Sequence, residues 1–476
     1  MTGPLPSTAG LERVDARWWR ALGDRLRLNG PTPRWLASMW QDRTVTYEGL
    51  QWPVRLWRAR TVDDPAARIY RMFCLRDPVR LDQAADTLGA AMVAGALDCG
   101  LLCRARDDHV VSRFDLRFFH GLWVLCDDLG LGGDAVFGTG AGDDAFPGVV
   151  PARLVTGGST ADSAVDVGCG AGAIALWMSR FARRVLATDI NPRALGFVRW
   201  NAALNGIGNV EVVAGDLLAP LGAERFDLLV AQPPFVPRPP DATPATYRLG
   251  GPLGTELPHR VLAAAGRHLT PHGRAAVVFE HPVRQSAPVA LPDLAGAGRR
   301  ALVLLGDEVD ADAYSVRYAL PALRQRDPAG FEHDVGEMRQ HLHSAGIRGV
   351  RPAVGVVESA DGRAWTDVAQ LDGPLWNRLA PGAADRLLAG HDLLHSGSAR
   401  RAWLPAGSTV LRSPAEDHVT LLLAAGVPSR VLRLTRAEWA VLERMREGET
   451  VRLTSGAPPE ELALLARLLR AGLVEP

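Results

Sequence analysis

Short apolar runs alternate with amphipathic stretches over residues 156–360, a pattern typical of buried strands separated by helices. The apolar runs are rich in valine, leucine and alanine, as in strands that are covered on both faces. They predict seven strands, at Ala164–Val167, Val185–Thr188, Val210–Val213, Leu228–Val230, Ala275–Phe279, Ala301–Leu304 and Val354–Val357. Residues 156–360 are therefore predicted to form an α/β domain with a Rossmann-like, seven-stranded parallel sheet.

The stretches between these runs predict helices, for example at Ala173–Ala182, Pro192–Asn205 and Pro258–His268. Open sheets of this kind bind ligands at the carboxyl ends of their strands. The residues that directly follow each predicted strand are therefore the first candidates for a functional site.

Residues 1–155 have a mostly helical pattern, with six tryptophans among the first sixty residues. Helices at 66–75 and 81–88 are followed by an apolar helix from Ala90 to Cys103 and a strand at His109–Ser112. Helices followed by a hairpin outline a winged-helix module.

The residue types in the apolar helix indicate whether this module recognises DNA. Residues 90–97 contain no arginine, asparagine or glutamine, the side chains that recognise base edges. The helix is therefore predicted to pack against protein. We interpret residues 1–155 as a substrate cap or a dimer surface, an arrangement compatible with a homodimer.

Residues 361–476 begin with glycine- and proline-rich stretches and end in two amphipathic helices, Thr435–Arg446 and Pro459–Ala471. We interpret them as a small α-rich domain that could be a second winged-helix-like unit. No residue pattern in this region indicates catalysis.

Composition narrows the choice of partners. The chain has 53 basic and 53 acidic residues, and a neutral balance disfavours a nucleic-acid partner, which usually requires a basic excess. No apolar run is long enough to span a membrane. The five cysteines lie in apolar or glycine-rich surroundings without a partner set at zinc spacing. These features predict a cytoplasmic protein with no metal site.

The strongest chemical signal is the glycine-rich run Asp166-Val167-Gly168-Cys169-Gly170-Ala171-Gly172, which directly follows the first predicted strand of the sheet. Glycines at alternate positions let the backbone turn sharply and approach a ligand closely. Dinucleotide-binding loops share this property, but their glycines follow the spacing G-x-G-x-x-G, whereas the spacing here is G-x-G-x-G.

The acid that precedes the first glycine separates the two ligand classes. Asp166 would repel a pyrophosphate, whereas it would attract the sulfonium and ammonium groups of S-adenosylmethionine. Charge therefore favours S-adenosylmethionine over NAD.

Acids also follow the next two predicted strands. Asp189 can accept hydrogen bonds from both ribose hydroxyls, and the adjacent Ile190 is assigned to the same site. Asp216 is placed to accept from the adenine amino group, with Leu217 as an apolar edge. Each acid alone could be a helix cap or a solvated turn, but three at successive strand ends indicate one cofactor site.

Together these residues resemble the class I S-adenosylmethionine-dependent methyltransferases. The order of a winged-helix-like domain before a Rossmann-like domain resembles many bacterial members. The resemblance implies S-adenosylmethionine as the cofactor. The residues predicted to bind it are Asp166, Gly168, Gly170, Gly172, Asp189, Ile190, Asp216, Leu217 and Gln232.

The fourth predicted strand is followed by Gln232-Pro233-Pro234-Phe235, which resembles the Asn/Asp/Ser-Pro-Pro-Tyr/Phe/Trp element of amino-methyltransferases. The two prolines keep the chain extended and stiff. The first side chain and a proline carbonyl would accept hydrogen bonds from the target nitrogen, and the aromatic ring would pack on a planar target. The most similar families are the release-factor glutamine methyltransferases and the "methyltransferase small" ribosomal RNA enzymes.

Gln232 departs from this element, because glutamine is one methylene longer than asparagine. The target therefore lies farther out or is not a planar amide or base nitrogen, since a displacement of about 1 Å already affects catalysis strongly. Nitrogen is preferred as the methyl acceptor, and oxygen stays open. His281, after the fifth strand, is a candidate general base or a solvent-facing strand end, and Tyr247 and Arg248 are candidates for the substrate wall.

Three functions fit these observations. The first is methyl transfer to a nitrogen of a small molecule or peptide, in specialised metabolism, which the neutral charge, the tryptophan-rich N-terminal region and Gln232 favour. The second is methylation of a ribosomal or transfer RNA base, which would require an arginine-lined surface beside Phe235. The third is a non-methylating protein, either a winged-helix regulator or an enzyme that uses the same cofactor for another reaction.

Overall fold

The computed structural model describes residues 5–39, 48–106, 108–128, 133–238, 250–285, 289–291, 294, 298–324, 327–359, 364–371, 375, 379, 381–396, 401–402, 409–412, 418–422, 430–446, 451–452 and 459–470. In this part of the chain, no helix combines the length and the apolar character that a membrane span requires.

The N-terminal region combines helices with short antiparallel strands. Its helices are α1 (Ala16–Asn29), α2 (Pro33–Met39), α3 (Glu48–Thr61), α4 (Pro65–Ile69), α5 (Leu81–Leu88) and α6 (Ala90–Asp98), with a 3-10 turn at Leu11–Arg13 and a π-helical turn at Tyr70–Cys74. Its strands are β1 (Val79–Arg80), β2 (Leu102–Arg106), β3 (His109–Ser112), β4 (Asp115–Phe119) and β5 (Leu122–Cys126). Strand β3 lies between β1 and β2, and β4 and β5 form a separate hairpin.

The predicted apolar helix Ala90–Cys103 is shorter in the structure, because α6 ends at Asp98. Gly100 has a φ of 76°, a left-handed conformation that favours glycine, and it turns the chain into β2. Leu102 then pairs with Ser112 across an antiparallel ladder. The prediction of a helix through Cys103 is therefore wrong, since a short apolar run does not by itself distinguish a helix from a buried strand.

The central sheet contains all seven predicted strands and two more. Its strands are β6 (Ala161–Val167), β7 (Ala182–Asp189), β8 (Val210–Ala214), β9 (Phe226–Ala231), β10 (Leu269–Arg284), β11 (Arg299–Leu305), β12 (Val309–Asp310), β13 (Ile347–Ser359) and β14 (Trp365–Gln370). They lie in the order β14-β11-β13-β10-β9-β6-β7-β8, and β12 pairs with β13.

The sheet is mixed rather than parallel, which corrects the prediction. Strand β13 runs antiparallel to β10 and β11, whereas the other main pairings are parallel. Apolar runs reveal that a strand is buried but not its direction, so the sequence pattern could not show this reversal.

Helices connect these strands. They are α7 (Phe146–Val149), α8 (Ala152–Val155), α9 (Ala173–Met178), α10 (Pro192–Asn205), α11 (Glu256–Ala265), α12 (Ala311–Arg324) and α13 (Pro328–Ser344), with 3-10 turns at Ala141–Ala145, Ala219–Leu221 and Gly266–His268. Helix α9 ends before the predicted Ala182, which already begins β7. Helix α10 has the predicted bounds, because Asn191 caps its first turn and Gly206 ends it in a left-handed conformation.

Helix α10 also joins the N-terminal region to the sheet. The side chain of Asn201 accepts a hydrogen bond from Leu125 N at 2.8 Å and donates one to Leu125 O at 2.8 Å. The rings of Trp19 and Trp200 are stacked with centroids 6.0 Å apart. The two parts share one apolar core, so the N-terminal region is fixed against the sheet.

The C-terminal part contains more β-structure than its predicted α-rich character implies. Its elements are α14 (Ala383–Ser396), β15 (Arg401–Ala402), β16 (Thr409–Arg412), β17 (His418–Leu422), β18 (Arg430–Arg433), α15 (Arg436–Arg446), β19 (Val451–Arg452) and α16 (Pro459–Arg470). Strands β16, β17 and β18 form an antiparallel sheet, and β15 pairs with β19.

The central sheet continues past residue 360, where the domain boundary was predicted. Strand β14 pairs with β11 over six residue pairs, from Arg300↔Trp365 to Leu305↔Gln370. Helix α14 then packs on the sheet: its Asp385 forms a 2.6 Å ion pair with Arg274 of β10 and accepts a 2.9 Å hydrogen bond from Ala152 N. Arg274 is only 3% exposed, and it also donates to Val149 O at 2.9 Å.

Candidate active site

A cavity of about 590 Å³ lies at the carboxyl ends of β6, β7, β8 and β9. The predicted residues that line it are Asp166, Gly168, Gly170, Asp189, Ile190, Asp216, Leu217, Gln232, Pro233, Pro234 and Phe235. Of the described residues that line it, none precedes Ala135. The lining residues between Ala135 and Asp143 belong to the region 1–155, whose role as a substrate cap or dimer surface stays a prediction.

The glycine run forms a tight loop between β6 and α9. Gly168 and Gly170 have φ values of 73° and 52°. The backbone N–H groups of Gly168 and Cys169 donate to Thr188 O at 2.8 and 2.9 Å, which fixes the loop on β7. Gly172 is not among the lining residues; it has a φ of 87° and begins α9, so its role is to start the helix.

A segment that the sequence reasoning missed closes over this loop. Residues from Ala135 to Asp143 line the cavity, and Phe137 O accepts a 2.8 Å hydrogen bond from Ala171 N. A Cβ atom on Gly170 would lie 2.7 Å from the same carbonyl oxygen. The sequence feature that could have indicated this segment is the run Gly138-Thr139-Gly140-Ala141-Gly142, because its glycines allow the close approach. The run was not recognised as part of the site because it follows no predicted strand.

Asp143 and Asp166 are both buried in the wall of this cavity. Asp166 Oδ2 accepts from Ala175 N at 3.0 Å, and Asp143 Oδ2 accepts from Gly140 N at 2.9 Å. Burial, together with the nearby Asp143 and Asp189 carboxylates, raises the pKa of Asp166 to about 8. Burial likewise raises the pKa of Asp143 to about 7. A cationic ligand would favour the ionised form of both groups.

Asp189 ends β7 as predicted and turns its carboxylate toward the loop. Its two oxygens accept from Gly170 N and Asn191 N, each at 2.9 Å. Burial raises the pKa of this carboxyl as well. The adjacent Ile190 is 58% exposed although it is a large apolar side chain on the cavity wall, so a flat apolar ligand could cover it.

Asp216 and Leu217 lie at the opposite rim of this part of the cavity. Asp216 is solvent-exposed and has Arg260 at 3.7 Å. Leu217 adopts a positive φ of 47°, a conformation that is uncommon outside glycine and directs the chain around the cavity.

The tetrapeptide 232–235 continues from β9 along the cavity wall. Gln232 Oε1 is buried and has no hydrogen-bond partner in the described part of the chain. A Cβ atom on Gly142 would lie 3.0 Å from this oxygen, so a side chain at this position would crowd the glutamine. An acceptor atom that is buried without a donor is costly, and a ligand N–H would remove that cost.

Glu280 of β10, rather than its neighbour His281, faces the cavity. Successive side chains of a strand point to opposite faces, so His281 is turned away. Its pKa is lowered to about 4 by burial, with further contributions from His259 and Arg351. The prediction of His281 as a general base in this site is therefore wrong. Glu280 lines the cavity together with Arg317 and Tyr318 of α12.

The other predicted substrate-wall residues, Tyr247 and Arg248, lie outside the described residues. The chain that follows them packs against the tetrapeptide: Gly250 N donates to Val236 O at 3.2 Å. This contact fixes the backbone directly after Phe235.

The known proteins that this chain resembles are methyltransferases, in agreement with the residues of the site. Residues 136–292 match the family model of the methyltransferase small domain. A release factor glutamine methyltransferase from Deinococcus radiodurans is 36% identical over 149 residues, which are 29% of this chain and 52% of that protein. A ribosomal protein uL3 glutamine methyltransferase from Bradyrhizobium diazoefficiens is 38% identical over 96 residues, covering 18% of this chain and 30% of that protein.

The name of a third relative gives ribosomal RNA as its substrate. The ribosomal RNA small subunit methyltransferase C from Alcanivorax borkumensis is 35% identical over 85 residues, which are 18% of this chain and 26% of that protein. The chain thus spans about half the length of these relatives, or less. Within that span, the resemblance to class I methyltransferases of the amino-methyltransferase group is confirmed, and S-adenosylmethionine is confirmed as the cofactor of this domain.

Proposed function

We propose that this chain, which contains a methyltransferase small domain at residues 136–292, transfers a methyl group from S-adenosylmethionine to an amide nitrogen of a protein or peptide. The observation that carries the proposal is the buried, unpartnered Oε1 of Gln232 on the cavity wall. This atom is an acceptor without a donor, at the position that faces the target nitrogen in the resembling enzymes.

The cavity fits the cofactor by charge and by shape. Asp143, Asp166 and Asp189 are acids with raised pKa values around the glycine loop, so this end of the cavity favours a cation. Bound there, S-adenosylmethionine supplies an electrophilic methyl group on a sulfonium. Asp189 would accept from the ribose hydroxyls, and Ile190 and Leu217 would pack on the adenine.

The tetrapeptide would then position the acceptor. Gln232 Oε1 and a proline carbonyl accept hydrogen bonds from the target N–H groups, and the two prolines hold these atoms rigidly. Phe235 packs against the planar group. When the nitrogen forms its bond to the methyl carbon, the bond between that carbon and the sulfonium sulfur would break, and the sulfur would keep the electron pair as a neutral thioether. The proton that the nitrogen loses would pass along its hydrogen bond to an accepting oxygen and then to solvent. The burial of the wall excludes water as a competing methyl acceptor.

The choice of a protein or peptide acceptor rests on the relatives and on charge. Two of the three relatives are named as glutamine methyltransferases, and none is named for a small molecule of specialised metabolism. Acidic residues outnumber arginine in the cavity lining, and they would repel an RNA backbone. The protein amide is therefore favoured over the RNA base.

We further propose that the catalytic domain extends from about residue 135 to 396, since β14 and α14 are packed on the sheet. The preceding residues would form a winged-helix-like module, a proposal supported by the sheet order β1-β3-β2 next to α5 and α6. Residues after 396 would form a separate small α+β unit.

Calorimetric titration with S-adenosylmethionine tests the cofactor part of the proposal. Asp189→Ala should weaken binding at least tenfold, because two charge-assisted hydrogen bonds to the ribose are lost, each about 1.5 kcal/mol or more. The control is Asp162→Ala, an exposed acid paired with Arg183 at the amino ends of β6 and β7, and this variant should bind as the wild type does. Absence of binding to the wild type would overturn the proposal.

Methyl transfer tests the tetrapeptide. With labelled cofactor and a set of glutamine-centred peptides, Gln232→Ala should lose at least a hundredfold in kcat while its affinity for S-adenosylmethionine changes less than threefold, because the unpartnered amide oxygen mainly holds the acceptor and the acids around the glycine loop dominate cofactor binding. Equal turnover in this variant would show that the tetrapeptide is only a turn.

A further inference from the structure

A charged pair, Glu280 and Arg317, lies in the wall of the cavity. Glu280, in β10, is only 2% exposed. Its Oε2 accepts hydrogen bonds from Tyr314 OH at 2.6 Å and from Tyr318 OH at 2.8 Å. The two phenols therefore fix the orientation of the carboxylate, and Glu280 has no freedom to turn toward another partner.

The second oxygen of this carboxylate is available to a ligand. In the described part of the chain, no hydrogen bond reaches Glu280 Oε1, and its nearest cation is Arg317, whose Nη1 lies 3.8 Å away. That separation is too long for a hydrogen bond. Arg317 lies over the ring of Tyr318, with its Cζ 5.8 Å from the ring centroid, which holds the guanidinium at the cavity wall.

Glu280 lies beside the tetrapeptide. Strands β9 and β10 are parallel with Val277 opposite Ala231, so the residues after both points run side by side. Val278 and Gln232 both border the space next to Gly142, and Glu280 follows Val278 on the same face of its strand. An acceptor held by Gln232 would therefore have Glu280 and Arg317 as its next neighbours.

We propose that Glu280 and Arg317 recognise a peptide amide next to the methylated nitrogen, with Glu280 Oε1 accepting its N–H and Arg317 donating to its carbonyl. The inference rests on the proposed function and specifies its substrate. A fixed acceptor beside a fixed donor complements the N–H and C=O of one peptide group. The charges of Glu280 and Arg317 cancel, so the pair would attract a substrate only weakly through that substrate's net charge.

A carboxylate oxygen that faces the cavity from a largely buried residue makes this recognition selective. When a substrate without the N–H enters, Glu280 Oε1 loses access to water without gaining a donor, which costs more than the hydrogen bond itself contributes. The Arg317 guanidinium has several N–H groups, so a carbonyl can be added to its existing interactions.

The test compares two acceptors with labelled cofactor: a capped peptide acetyl-Ala-Ala-Gln-Ala-Ala-amide, and butyramide, which has a primary amide but no peptide group. In Glu280→Gln, the KM for the peptide should rise about tenfold or more, as expected for a hydrogen bond to a charged group. The kcat for the peptide, the kcat/KM for butyramide and the Kd of S-adenosylmethionine should change less than threefold.

The matched control is Glu308→Gln, the same substitution at a carboxylate that pairs with Arg348 and Arg351 outside the cavity lining; all parameters should match the wild type. If Glu280→Gln does not fold, Tyr318→Phe removes one of the two phenol hydrogen bonds and should raise the peptide KM about threefold without changing kcat.

An unchanged peptide KM in these variants would overturn the inference, as would a fall in kcat at unchanged KM. A wild type that binds S-adenosylmethionine but methylates an RNA oligonucleotide in preference to the peptide would also overturn it. If the wild type does not bind S-adenosylmethionine at all, the proposed function fails first, and calorimetry separates the two failures.

Discussion

At the scale of single residues, the buried acids Asp143 and Asp166 predict how cofactor binding depends on pH. Their pKa values are raised to about 7 and about 8, so both carry protons at pH 6. Binding of the cationic cofactor favours the ionised form, and protons must be released. The affinity should therefore increase by about tenfold per pH unit for each proton released, between about pH 6 and 7.5.

Calorimetry at several pH values, in two buffers that differ in ionisation enthalpy, measures both the affinity and the protons released. Above about pH 8 the gain should stop, because the α-amino group of the cofactor begins to lose its charge. Asp166→Asn should release fewer protons than the wild type. An affinity that does not change with pH, with no proton release, would contradict this prediction.

A rise in pH should strengthen cofactor binding, but it should reduce the contribution of the same two groups to the stability of the unliganded protein. A carboxyl whose pKa is raised by folding stabilises the fold fully below its unfolded pKa of about 4, and this contribution is lost as the pH rises through its folded pKa. The contribution of Asp143 and Asp166 should therefore decrease between about pH 4 and 8. Saturating S-adenosylmethionine should consequently raise Tm more at pH 8 than at pH 6.

At the scale of elements, the glycine loop and the segment 135–143 form one wall. Gly168→Ala places a Cβ atom where nothing lies within 4 Å, so its cost is only the left-handed strain of about 1–2 kcal/mol. Gly170→Ala has the same kind of strain, and its Cβ would also lie 2.7 Å from Phe137 O. That oxygen accepts the hydrogen bond that closes the segment over the loop.

Gly170→Ala should therefore lower Tm at least twice as much as Gly168→Ala, for which a decrease of about 2–6 °C is expected. Thermal unfolding without cofactor measures the difference, and a titration with S-adenosylmethionine should show weaker binding in Gly170→Ala. Equal shifts of Tm in the two variants would show that Phe137 O can move at little cost.

The elements that could be predicted from sequence are those with local signals. Helix α10 has its cap at Asn191 and its end at Gly206 in the sequence itself, and Asp166 and Asp189 lie at the ends of apolar strands. The direction of β13, the choice of Glu280 over His281 at the cavity and the closure by residues 135–143 depend on long-range pairing. No local pattern encodes those contacts, so the sequence alone could not provide them.

At the scale of the whole molecule, the same limit explains the boundary predicted at residue 360. The glycine- and proline-rich stretches after that point resemble a linker, yet Trp365 and Leu371 are buried and β14 extends the sheet. Asp385 adds an ion pair to the buried Arg274, which in turn holds Val149 O in the helix that follows the Asp143 segment. The segment 364–396 therefore supports the cavity wall from behind.

This arrangement predicts different outcomes for two truncated chains. A chain that ends at residue 360 loses β14 and α14, and with them the burial of Trp365, Leu371, Leu387 and Leu388. Each of these contributes roughly 1.5–3 kcal/mol, so their loss approaches the 5–15 kcal/mol that typically stabilises a domain. The chain should be insoluble or unfold at least 10 °C below the full-length protein.

A chain that ends at residue 396 keeps β14, α14 and the pairing of Arg274 and Asp385, and it loses the packing of α16 on α14. It should bind S-adenosylmethionine within about threefold of the full-length protein, since no described residue after 396 lines the cavity. Thermal unfolding and calorimetry on both chains distinguish the alternatives. If the chain ending at 360 is as stable as the longer one and binds equally well, the catalytic domain ends at the boundary predicted from sequence. Strand β14 and helix α14 would then contribute neither to its stability nor to cofactor binding.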